Sequence, residues 1–351
     1  MLKKLISLLL VLLLVFTLGA CGEKETPSDD QSSAPSSDAS SEIVDNTTYY
    51  LNTLTGENTL SASAKNRKPI AITVNNVRVA QKVQCGLDKA DVVFETEVEG
   101  GITRLLALFA DPTDVKKIGT VRSLRVVFAD LAAGMDAILF YHGIDPTYCK
   151  PYLKTLNIDS YQIGIDSSSD SFRDDNGLAL EHTLYTTGER LNKVIEKKKF
   201  DNKNSGKTWV SFRDGEDKVA PSEQSAKKID VNFSGTTGTQ FIYDENEQKY
   251  ARARKGVEYT DLASGNRELF TNVLILKTSI TDYADGHHRN ISLKGGEGYY
   301  ASAGGVVPIK WTKGDNKDSF KFTLADGSKF TANQGNFYVC IMSEKKTVTF
   351  E

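Results

Sequence analysis

The stretch DVVFETEVEGGITRLLALF, residues 91–109, has two strand-like runs on either side of a Gly-Gly pair. Both positions of a two-residue hairpin loop favour a positive φ, so Gly100 and Gly101 predict a tight turn between antiparallel strands. The turn then sets the register of every pair across the hairpin. The expected partners are Glu99–Ile102, Glu97–Arg104, Glu95–Leu106 and Val92–Phe109.

The two faces of this hairpin are expected to differ, because successive side chains on a strand point to opposite sides. The face predicted to be core consists of Val92, Phe94, Val98, Leu105, Ala107 and Phe109. The other face carries Glu95, Glu97 and Glu99 in a row. Carboxylates at every second position repel one another unless cations lie close, and the hairpin itself supplies only Arg104. Further positive charge is therefore expected from other parts of the chain.

A source of that charge is the segment IGTVRSLR, residues 118–125. Ser123 is predicted to be the N-cap of the helix that follows it. Arg122 and Arg125 then lie at a helix N-terminus, where cations oppose the macrodipole by about 0.3 to 1 kcal/mol. An anion is therefore expected to join them. It is either a carboxylate of the acidic row, in a structural network of ion pairs, or a bound phosphate or carboxylate that also uses the helix end. Networks without a ligand are the commoner outcome in proteins.

Further polar residues follow along the same part of the chain. His142 comes directly after a buried-looking strand and opens a loop, which is a common position for functional groups in α/β domains. His182 precedes another strand-like stretch, and each histidine alone is more often structural than catalytic. With the acidic row and the arginines they outline one polar cleft, provided that they converge. The candidate ligand-binding residues are Glu95, Glu97, Glu99, Arg104, Arg122, Arg125, His142, Arg173 and His182.

The chain around the hairpin has two parts of different texture. Residues 67–213 mix short buried strands with helices of 3.6-residue apolar spacing, and they predict an α+β or α/β N-terminal domain with a mixed sheet. Residues 225–351 alternate short Val-, Ile-, Thr-, Phe- and Tyr-rich segments with Gly, Asn and Asp, and they predict a smaller, mostly β C-terminal domain. The charged stretch 214–224 is the expected linker.

Individual elements are expected within these two domains. Helices are predicted at 123–135 and at 187–198, the second capped by Thr187. Strands are predicted at 69–74, 137–141, 229–233, 239–243, 273–277, 306–311, 320–324 and 337–341.

The N-terminus predicts export and anchoring. Residues 1–20 combine two lysines with a short apolar run, as in a secretory signal peptide. The run is shorter than the about 20 apolar residues of a transmembrane helix; an uncleaved signal anchor stays open as the alternative. Leu18-Gly19-Ala20-Cys21 resembles the lipobox of bacterial lipoproteins, which implies that Cys21 carries a diacylglyceryl group. Two acyl chains are sufficient for stable anchoring.

The segment after the lipidation site is expected to be a tether. Residues 21–66 are rich in Ser, Asp and Glu and poor in large apolar side chains near their start, a composition that predicts disorder. The expected location is the outer face of the cytoplasmic membrane, with the membrane as a partner through Cys21.

Composition and spacing argue against several classes of function. A net charge of -3 and a pI near 5.9 provide no basic field of the kind that nucleic acid requires, so no nucleic-acid partner is expected. The adjacent histidines at 287–288 match no defined metal-site spacing, and no metal or cofactor is predicted. The cysteines after the lipobox are expected to be buried thiols, with at most one disulfide among them, and they are Cys85, Cys149 and Cys340.

Several of these motifs together resemble the YerB-like lipoproteins, a family of Gram-positive bacteria with an N-terminal and a C-terminal domain of unknown function. The matching stretches are Gly86–Asp91, Val98–Arg104, Ile118–Gly119, Val121–Ser123, Arg125, Asp130–Ala132, His142–Gly143, Arg173–Asp174, His182, Leu184–Tyr185, Asn272–Val273 and Trp311–Lys313. The resemblance implies a signal, a tether, a mixed N-terminal domain and a smaller β-rich C-terminal domain. It implies no particular activity.

Three functional hypotheses follow from the sequence. The first is a binding or interaction module for an anionic cell-envelope ligand or a protein partner. The second is an envelope hydrolase acting on a glycan or phosphodiester, since same-face strand neighbours lie about 6.5 to 7 Å apart, near the spacing of paired glycosidase carboxylates. The third is a structural or assembly lipoprotein without a small ligand.

Overall fold

Residues 48–165 and 168–351 are described in this computed structural model. The predicted signal peptide, Cys21 and the tether up to residue 47 lie outside the described residues. The described helices are α1 Arg78–Gln81, α2 Val126–Gly134, α3 Cys149–Leu156 and α4 Gly188–Lys198, with 3-10 helices at Leu87–Lys89, Glu99–Gly101 and Leu180–His182.

The strands of the first part are β1 Tyr50–Leu51, β2 Asn58–Leu60, β3 Ile70–Asn75, β4 Val92–Glu97, β5 Thr103–Phe109, β6 Ile118–Gly119, β7 Ile138–Tyr141, β8 Ser160–Gln162, β9 Phe172–Arg173 and β10 Leu184–Thr186. The strands of the second part are β11 Lys228–Asn232, β12 Gly238–Asp244, β13 Lys249–Arg254, β14 Val257–Glu258, β15 Leu269–Phe270, β16 Asn272–Thr278, β17 Ile280–Asp282, β18 Arg289–Ile291, β19 Gly295–Ser302, β20 Gly305–Lys313, β21 Phe320–Leu324, β22 Phe337–Ser343 and β23 Val348–Phe350.

The predicted fold class is confirmed. The first part combines a mixed sheet with few helices, and no α-helix of the described chain follows Lys198. The helix predicted at 187–198 begins as expected, because the Thr187 side chain accepts the backbone N–H of Arg190 at 3.2 Å. The N-cap predicted for α2 is wrong. Arg125, not Ser123, occupies that position, and its side chain makes no capping hydrogen bond.

The central element is a ten-stranded mixed sheet to which both parts of the chain contribute. Its order is β21-β20-β19-β16-β22-β4-β5-β3-β7-β8. Strand β22, close to the C-terminus, pairs in parallel with β4 and thereby joins the two parts through backbone hydrogen bonds. Helices α2 and α3 pack on one face, while α4 and a sheet containing β11 to β15 and β23 pack on the other. Both faces of the central sheet are therefore buried.

The predicted register of the β4–β5 hairpin is wrong by one residue. Glu97 pairs with Thr103, Thr96 with Arg104, and Val92 with Leu108. Gly100 and Gly101 do have positive φ, but Glu99 belongs to the loop as well, and the Val98 N–H donates to the Ile102 carbonyl at 2.9 Å. One additional loop residue shifts the pairing and moves every β5 side chain to the other face.

This shift changes which residues share a face. Val92, Phe94, Leu106 and Leu108 belong to the core on the side of α2, whereas Val93, Leu105, Ala107 and Phe109 belong to the core on the side of the smaller sheet. Arg104 consequently lies on the face opposite Glu95 and Glu97. The expected contrast between an apolar and an acidic face does not exist, because every residue of β4 and β5 is buried.

The folded part of the chain begins earlier than the predicted end of the tether at residue 66. Strands β1 and β2 pair with each other, and Leu54 and Leu60 are buried in the core on the side of α2. The Asn52 amide donates to the Asp91 carboxylate at 2.8 Å, at the start of β4. Residues 48–66 are thus part of the compact unit that extends from residue 47 to the C-terminus. Their apolar residues provide enough burial to order them.

Candidate functional site

Several predicted polar residues lie at one edge of the central sheet. Strand β3 is parallel to β7, and β5 runs antiparallel to both β3 and β4, so β3, β4 and β7 all end at the same edge. Asn75 ends β3, Glu97 ends β4, and His142 follows β7 directly. We call this the carboxyl edge, and the opposite one the amino edge. In sheets with parallel strands, ligands commonly bind beyond the carboxyl ends.

Two arginines pair with a single carboxylate at the carboxyl edge, and a third arginine lies near them. Arg125 Nε donates to Glu99 Oε2 at 2.9 Å, and its Nη2 donates to Oε1 of the same carboxylate. Arg104 Nη2 lies 3.6 Å from Glu99 Oε1, and its Nη1 donates to the Ser123 carbonyl at 2.7 Å. Arg122 lies close enough for its charge to act on Arg104. We call Glu99, Arg104, Arg122 and Arg125 the arginine cluster.

The pKa values in the arginine cluster reflect an excess of positive charge. Burial opposes ionisation of Glu99, but the hydrogen bond from Arg125 and the charges of Arg104 and Arg125 lower its pKa to about 2. Burial, followed by the neighbouring charges of Arg125 and Arg122, lowers the pKa of Arg104. One carboxylate is therefore shared between the guanidinium groups of Arg104, only 2% exposed, and Arg125, while Arg122 adds a third positive charge nearby.

Unpaired polar atoms concentrate around the arginine cluster. Among the described residues, the buried side-chain atoms without a hydrogen-bond partner include Nε of Arg104, Nε of Arg122 and Oγ1 of Thr120. Oε1 of Glu97 and Nε of Arg289 are also buried without a hydrogen-bond partner. Buried polar groups in native proteins are nearly always satisfied by protein, water or ligand. This edge therefore retains unused hydrogen-bonding capacity.

Glu97 lies beside the cluster without joining it. Its Oε2 is 3.9 Å from Arg289 Nε on β18, and Arg289 is also paired with Asp282. Burial raises the pKa of Glu97, although the charges of Arg289 and Lys346 oppose the change.

The predicted histidines and Arg173 lie next to the cluster and have their own partners. Asn75 Nδ2 donates to His182 Nδ1 at 2.7 Å, and His182 Nε2 is 3.3 Å from a Glu181 carboxylate oxygen. Burial lowers the pKa of His182; the Arg122 charge acts in the same direction and Glu181 against it. Arg122 also donates to the Glu181 carbonyl at 3.4 Å. His182 and the arginine cluster are thus electrostatically linked.

His142 and Arg173 stabilise loops near the same edge. His142 Nδ1 donates to the Ile163 carbonyl at 2.8 Å. Arg173 Nη1 donates to the Leu180 carbonyl at 2.6 Å and to Thr183 Oγ1 at 3.1 Å. The side chain of Arg173 therefore holds the loop that carries His182 in place.

Glu95 is separate from all of these residues. It is fully buried, and its two carboxylate oxygens accept four hydrogen bonds of 2.7 to 2.8 Å. The donors are Asn76, Thr103, Thr239 and Tyr338. Arg252, also fully buried, donates to Asn76 and Gln84 and pairs with Glu268 at 2.8 Å. We call these residues the buried network; it connects the two parts of the chain and leaves no capacity on Glu95 for a ligand.

Sequence reasoning missed Arg289, Asn75 and Arg252. Arg289 lies on β18 and Arg252 on β13, outside the central sheet, and both strands are distant in sequence from the hairpin and reach it only through tertiary packing. Asn75, by contrast, ends a predicted strand, and polar residues at carboxyl ends of strands are a usable signal.

Metal ligation and thiol chemistry have little support in the described chain. No group of three or more His, Cys, Asp or Glu side chains there is arranged to hold a metal ion. Cys85, Cys149 and Cys340 are buried and unpaired. Burial raises the pKa of the Cys85 and Cys149 thiols to about 12.

Comparison with known proteins identifies two family models in the chain. Residues 54–201 match the N-terminal domain, and residues 229–339 the C-terminal domain, of a protein of unknown function (DUF3048). No helix in the described residues is long and apolar enough to cross a membrane.

A relative and a solved structure agree with this match. "Putative lipoprotein YerB" of Bacillus subtilis (strain 168) is 31% identical over 247 residues, which cover 70% of this chain and 73% of the relative. The crystal structure of the YerB protein from Bacillus subtilis superimposes with a TM-score of 0.73 at 27% identity, over 85% of this chain and 99% of that chain. The resemblance inferred from the sequence motifs is confirmed.

Proposed function

The chain belongs to the DUF3048 family, and we propose that it is a membrane-anchored extracytoplasmic lipoprotein that binds an anionic ligand of the cell envelope at the arginine cluster. Its anchor is the diacylglyceryl group expected on Cys21. The similarity to a protein named as a lipoprotein supports this location.

The observation that carries the binding proposal is the imbalance of charge and hydrogen bonding around Glu99. The guanidinium groups of Arg104 and Arg125 share this carboxylate, and the charge of Arg122 lies close by. Arg104 and Arg122 each retain an unpaired buried Nε. In the buried network, by contrast, the carboxylate of Glu95 is saturated by four neutral donors, although Arg252 there also keeps one unpaired buried Nε. An added anion would pair with the excess charge and accept from the free donors.

The chemistry of the site favours a phosphate or carboxylate. Guanidinium groups bind both anions through two parallel hydrogen bonds. Helix α2 begins at Val126, directly after Arg125, and its N-terminus has no side-chain cap. Uncapped N–H groups and the helix dipole favour an anion in the same place.

The test uses residues 22–351, which contain the whole compact unit, and poly(glycerol phosphate) as the probe. Isothermal titration calorimetry should detect binding, and the affinity should fall as the salt concentration rises. Arg122→Glu with Arg125→Glu should lower the affinity at least about tenfold, since each charge-assisted contact contributes about 1.5 to 3 kcal/mol. Arg213→Glu with Lys321→Glu changes the net charge equally at other sites and should bind like the wild type. Equal affinity of all three proteins would contradict the proposal.

A second candidate function is the hydrolase, favoured by one observation. Burial raises the pKa of Glu97, while the pKa of nearby Glu99 is lowered to about 2. Paired carboxylates whose pKa values are driven apart are typical of acid–base catalysis. Incubation with cell-wall glycans and phosphodiester polymers should then release products, and Glu97→Gln should abolish the release. Absence of products from the wild type argues for binding alone.

A further inference from the structure

The amino edge of the central sheet is the place where the described chain begins. Asn52 contacts Asp91 at the start of β4, and the Trp209 indole donates to the Leu54 carbonyl at 2.9 Å. Strand β4 has six residues, so the amino and carboxyl edges are separated by about 20 Å. The arginine cluster and the first described residues therefore lie at opposite edges of the sheet.

The amino edge also carries a concentration of lysines. The segment KVIEKKKFDNKNSGK, residues 193–207, contains six lysines and only two carboxylates. It packs beside residues 65–68, since the Lys68 N–H donates to the Asn202 carbonyl at 3.0 Å and the Asn204 N–H to the Asn66 carbonyl at 2.9 Å. Lys193 pairs with Glu189 on α4. We call the other cations of these two segments the basic patch: Lys65, Arg67, Lys68, Lys197, Lys198, Lys199, Lys203 and Lys207.

Only part of this charge is used within the fold, where Lys65 lies over the Tyr50 ring and Lys198 over the Tyr161 ring. Lys68 is paired with Asp136 at 3.1 Å and with Asp201 at 3.6 Å. Lys197, Lys199, Lys203 and Lys207 are exposed and form no ion pair within the described residues. The chain as a whole has a net charge of -3, so the patch is a local excess in an acidic protein.

A cavity and two exposed apolar side chains adjoin the patch. The cavity has a volume of about 710 Å³, and its lining includes the lysines Lys68, Lys207 and Lys317, the carboxylates Asp136, Asp159, Asp201 and Asp318, and the amide of Asn204. Its lysines suit a phosphate, and its carboxylates and amide suit hydroxyl groups. Tyr49 and Leu51, 53% and 45% exposed, lie on the first described segment. Cations next to an exposed tyrosine and leucine are typical of a membrane interface.

We propose that the basic patch docks the folded unit onto anionic phospholipids of the membrane, with a headgroup in this cavity. The proposal rests on the membrane anchor of the proposed function, which keeps the amino edge within reach of the bilayer surface. Lysines near an anionic leaflet attract it strongly, and a covalent anchor raises the local lipid concentration further. The carboxyl edge then faces away from the membrane, toward the envelope ligand.

Vesicle sedimentation tests this docking with residues 22–351, which carry no lipid. We expect binding to vesicles of phosphatidylglycerol and phosphatidylcholine in equal parts at about 0.05 M salt, and its loss at about 0.5 M salt. We expect no binding to pure phosphatidylcholine. Equal binding to both kinds of vesicle would overturn the proposal.

Charge reversal locates the contact surface. Lys197→Glu, Lys198→Glu and Lys199→Glu together should lower the partition coefficient about a hundredfold or more. Cations near a helix C-terminus also stabilise α4, so the triple variant could lose stability as well as charge. A second variant, Lys203→Glu with Lys207→Glu, changes only the loop after α4. It should lower the partition coefficient at least about tenfold. The matched control is the triple reversal of exposed lysines outside the patch, namely Lys82, Lys255 and Lys345, each to Glu. Equal losses in the control and the patch variants would overturn the proposal.

The same assay separates this inference from the proposed function. Arg122→Glu with Arg125→Glu should bind vesicles like the wild type while losing poly(glycerol phosphate). A wild-type protein that binds poly(glycerol phosphate) but not anionic vesicles refutes the docking surface and leaves the ligand site intact.

Discussion

Two glutamates on one hairpin, Glu95 and Glu99, lie in opposite electrostatic situations. Glu95 is fully buried and accepts four hydrogen bonds from neutral donors. Glu99 is half-buried and is shared between the guanidinium groups of Arg104 and Arg125, and Arg104 retains an unpaired Nε. The first region connects the two parts of the chain, whereas the second lies where strands end. Both residues are glutamates of one hairpin. They differ in whether hydrogen-bond partners within the protein saturate the carboxylate, as at Glu95, or leave capacity for a ligand, as at Glu99.

The largest expected effect lies in the buried network. Arg252→Met should lower the free energy of unfolding by about 3 to 5 kcal/mol, because Glu268, 1% exposed, is left as an unpaired buried charge. Urea denaturation measures the loss. Arg267→Met is the matched control, since Arg267 is a partly exposed ion-pair partner and its removal should cost about 1 kcal/mol or less. Similar losses for the two variants would show that the buried network contributes no more to stability than a partly exposed ion pair does.

A smaller effect is expected from the pH dependence of Glu99. Its folded-state pKa of about 2 lies below the ordinary value of 4.5. The ionised form therefore stabilises the protein above about pH 4.5, and this contribution disappears as the pH falls toward 2. Linkage limits it to about 3 kcal/mol. Unfolding free energies measured across this pH range should fall less steeply for Glu99→Gln than for the wild type; identical slopes would show that Glu99 is not held in its charged form.

Arg104→Met should be better tolerated than Arg252→Met, although both arginines are buried. Arg104 is repelled by Arg125 and Arg122, and Glu99 keeps its pair with Arg125 when Arg104 is removed. We expect a loss of about 1 to 2 kcal/mol in urea denaturation. The same variant should weaken binding of poly(glycerol phosphate). A loss as large as that of Arg252→Met would mean that the arginine cluster is itself a structural network.

The smallest effect concerns His182. Burial and the charge of Arg122 hold its pKa below the ordinary value. A bound anion would offset the Arg122 charge, so the pKa of His182 should rise. An NMR titration of the imidazole with and without poly(glycerol phosphate) measures the change. No change, or a fall, would place the anion elsewhere.

Local patterns predicted much of the fold. The apolar spacing around α2 and the Thr187 cap of α4 located the helices, and β-branched and aromatic runs located the second-half strands. They failed where a single residue decides the outcome. The Gly-Gly pair correctly indicated a turn with positive φ, but whether Glu99 belongs to the strand or to the loop depends on how Val98 and Ile102 close it.

The candidate site was predictable only in part. Arg122 and Arg125 were identified because cations at a helix start need an anion, and Glu99 proved to be one of the carboxylates available. Glu95 and Arg104 were expected on one face, but the register shift separates them. Arg289 could not be foreseen, since its strand reaches the hairpin only through long-range packing.

By itself the sequence determined the identity of the segments: which stretches form strands and helices, which family they belong to, and which residue types are available. The tertiary structure alone decided which charges meet. Periodicity and propensity are local properties, whereas the register of a hairpin and the neighbours of a buried carboxylate depend on elements that are distant along the chain. Two glutamates of the same hairpin therefore have different surroundings: the hydrogen bonds to Glu95 are complete, whereas the charges around Glu99 leave capacity for an anion.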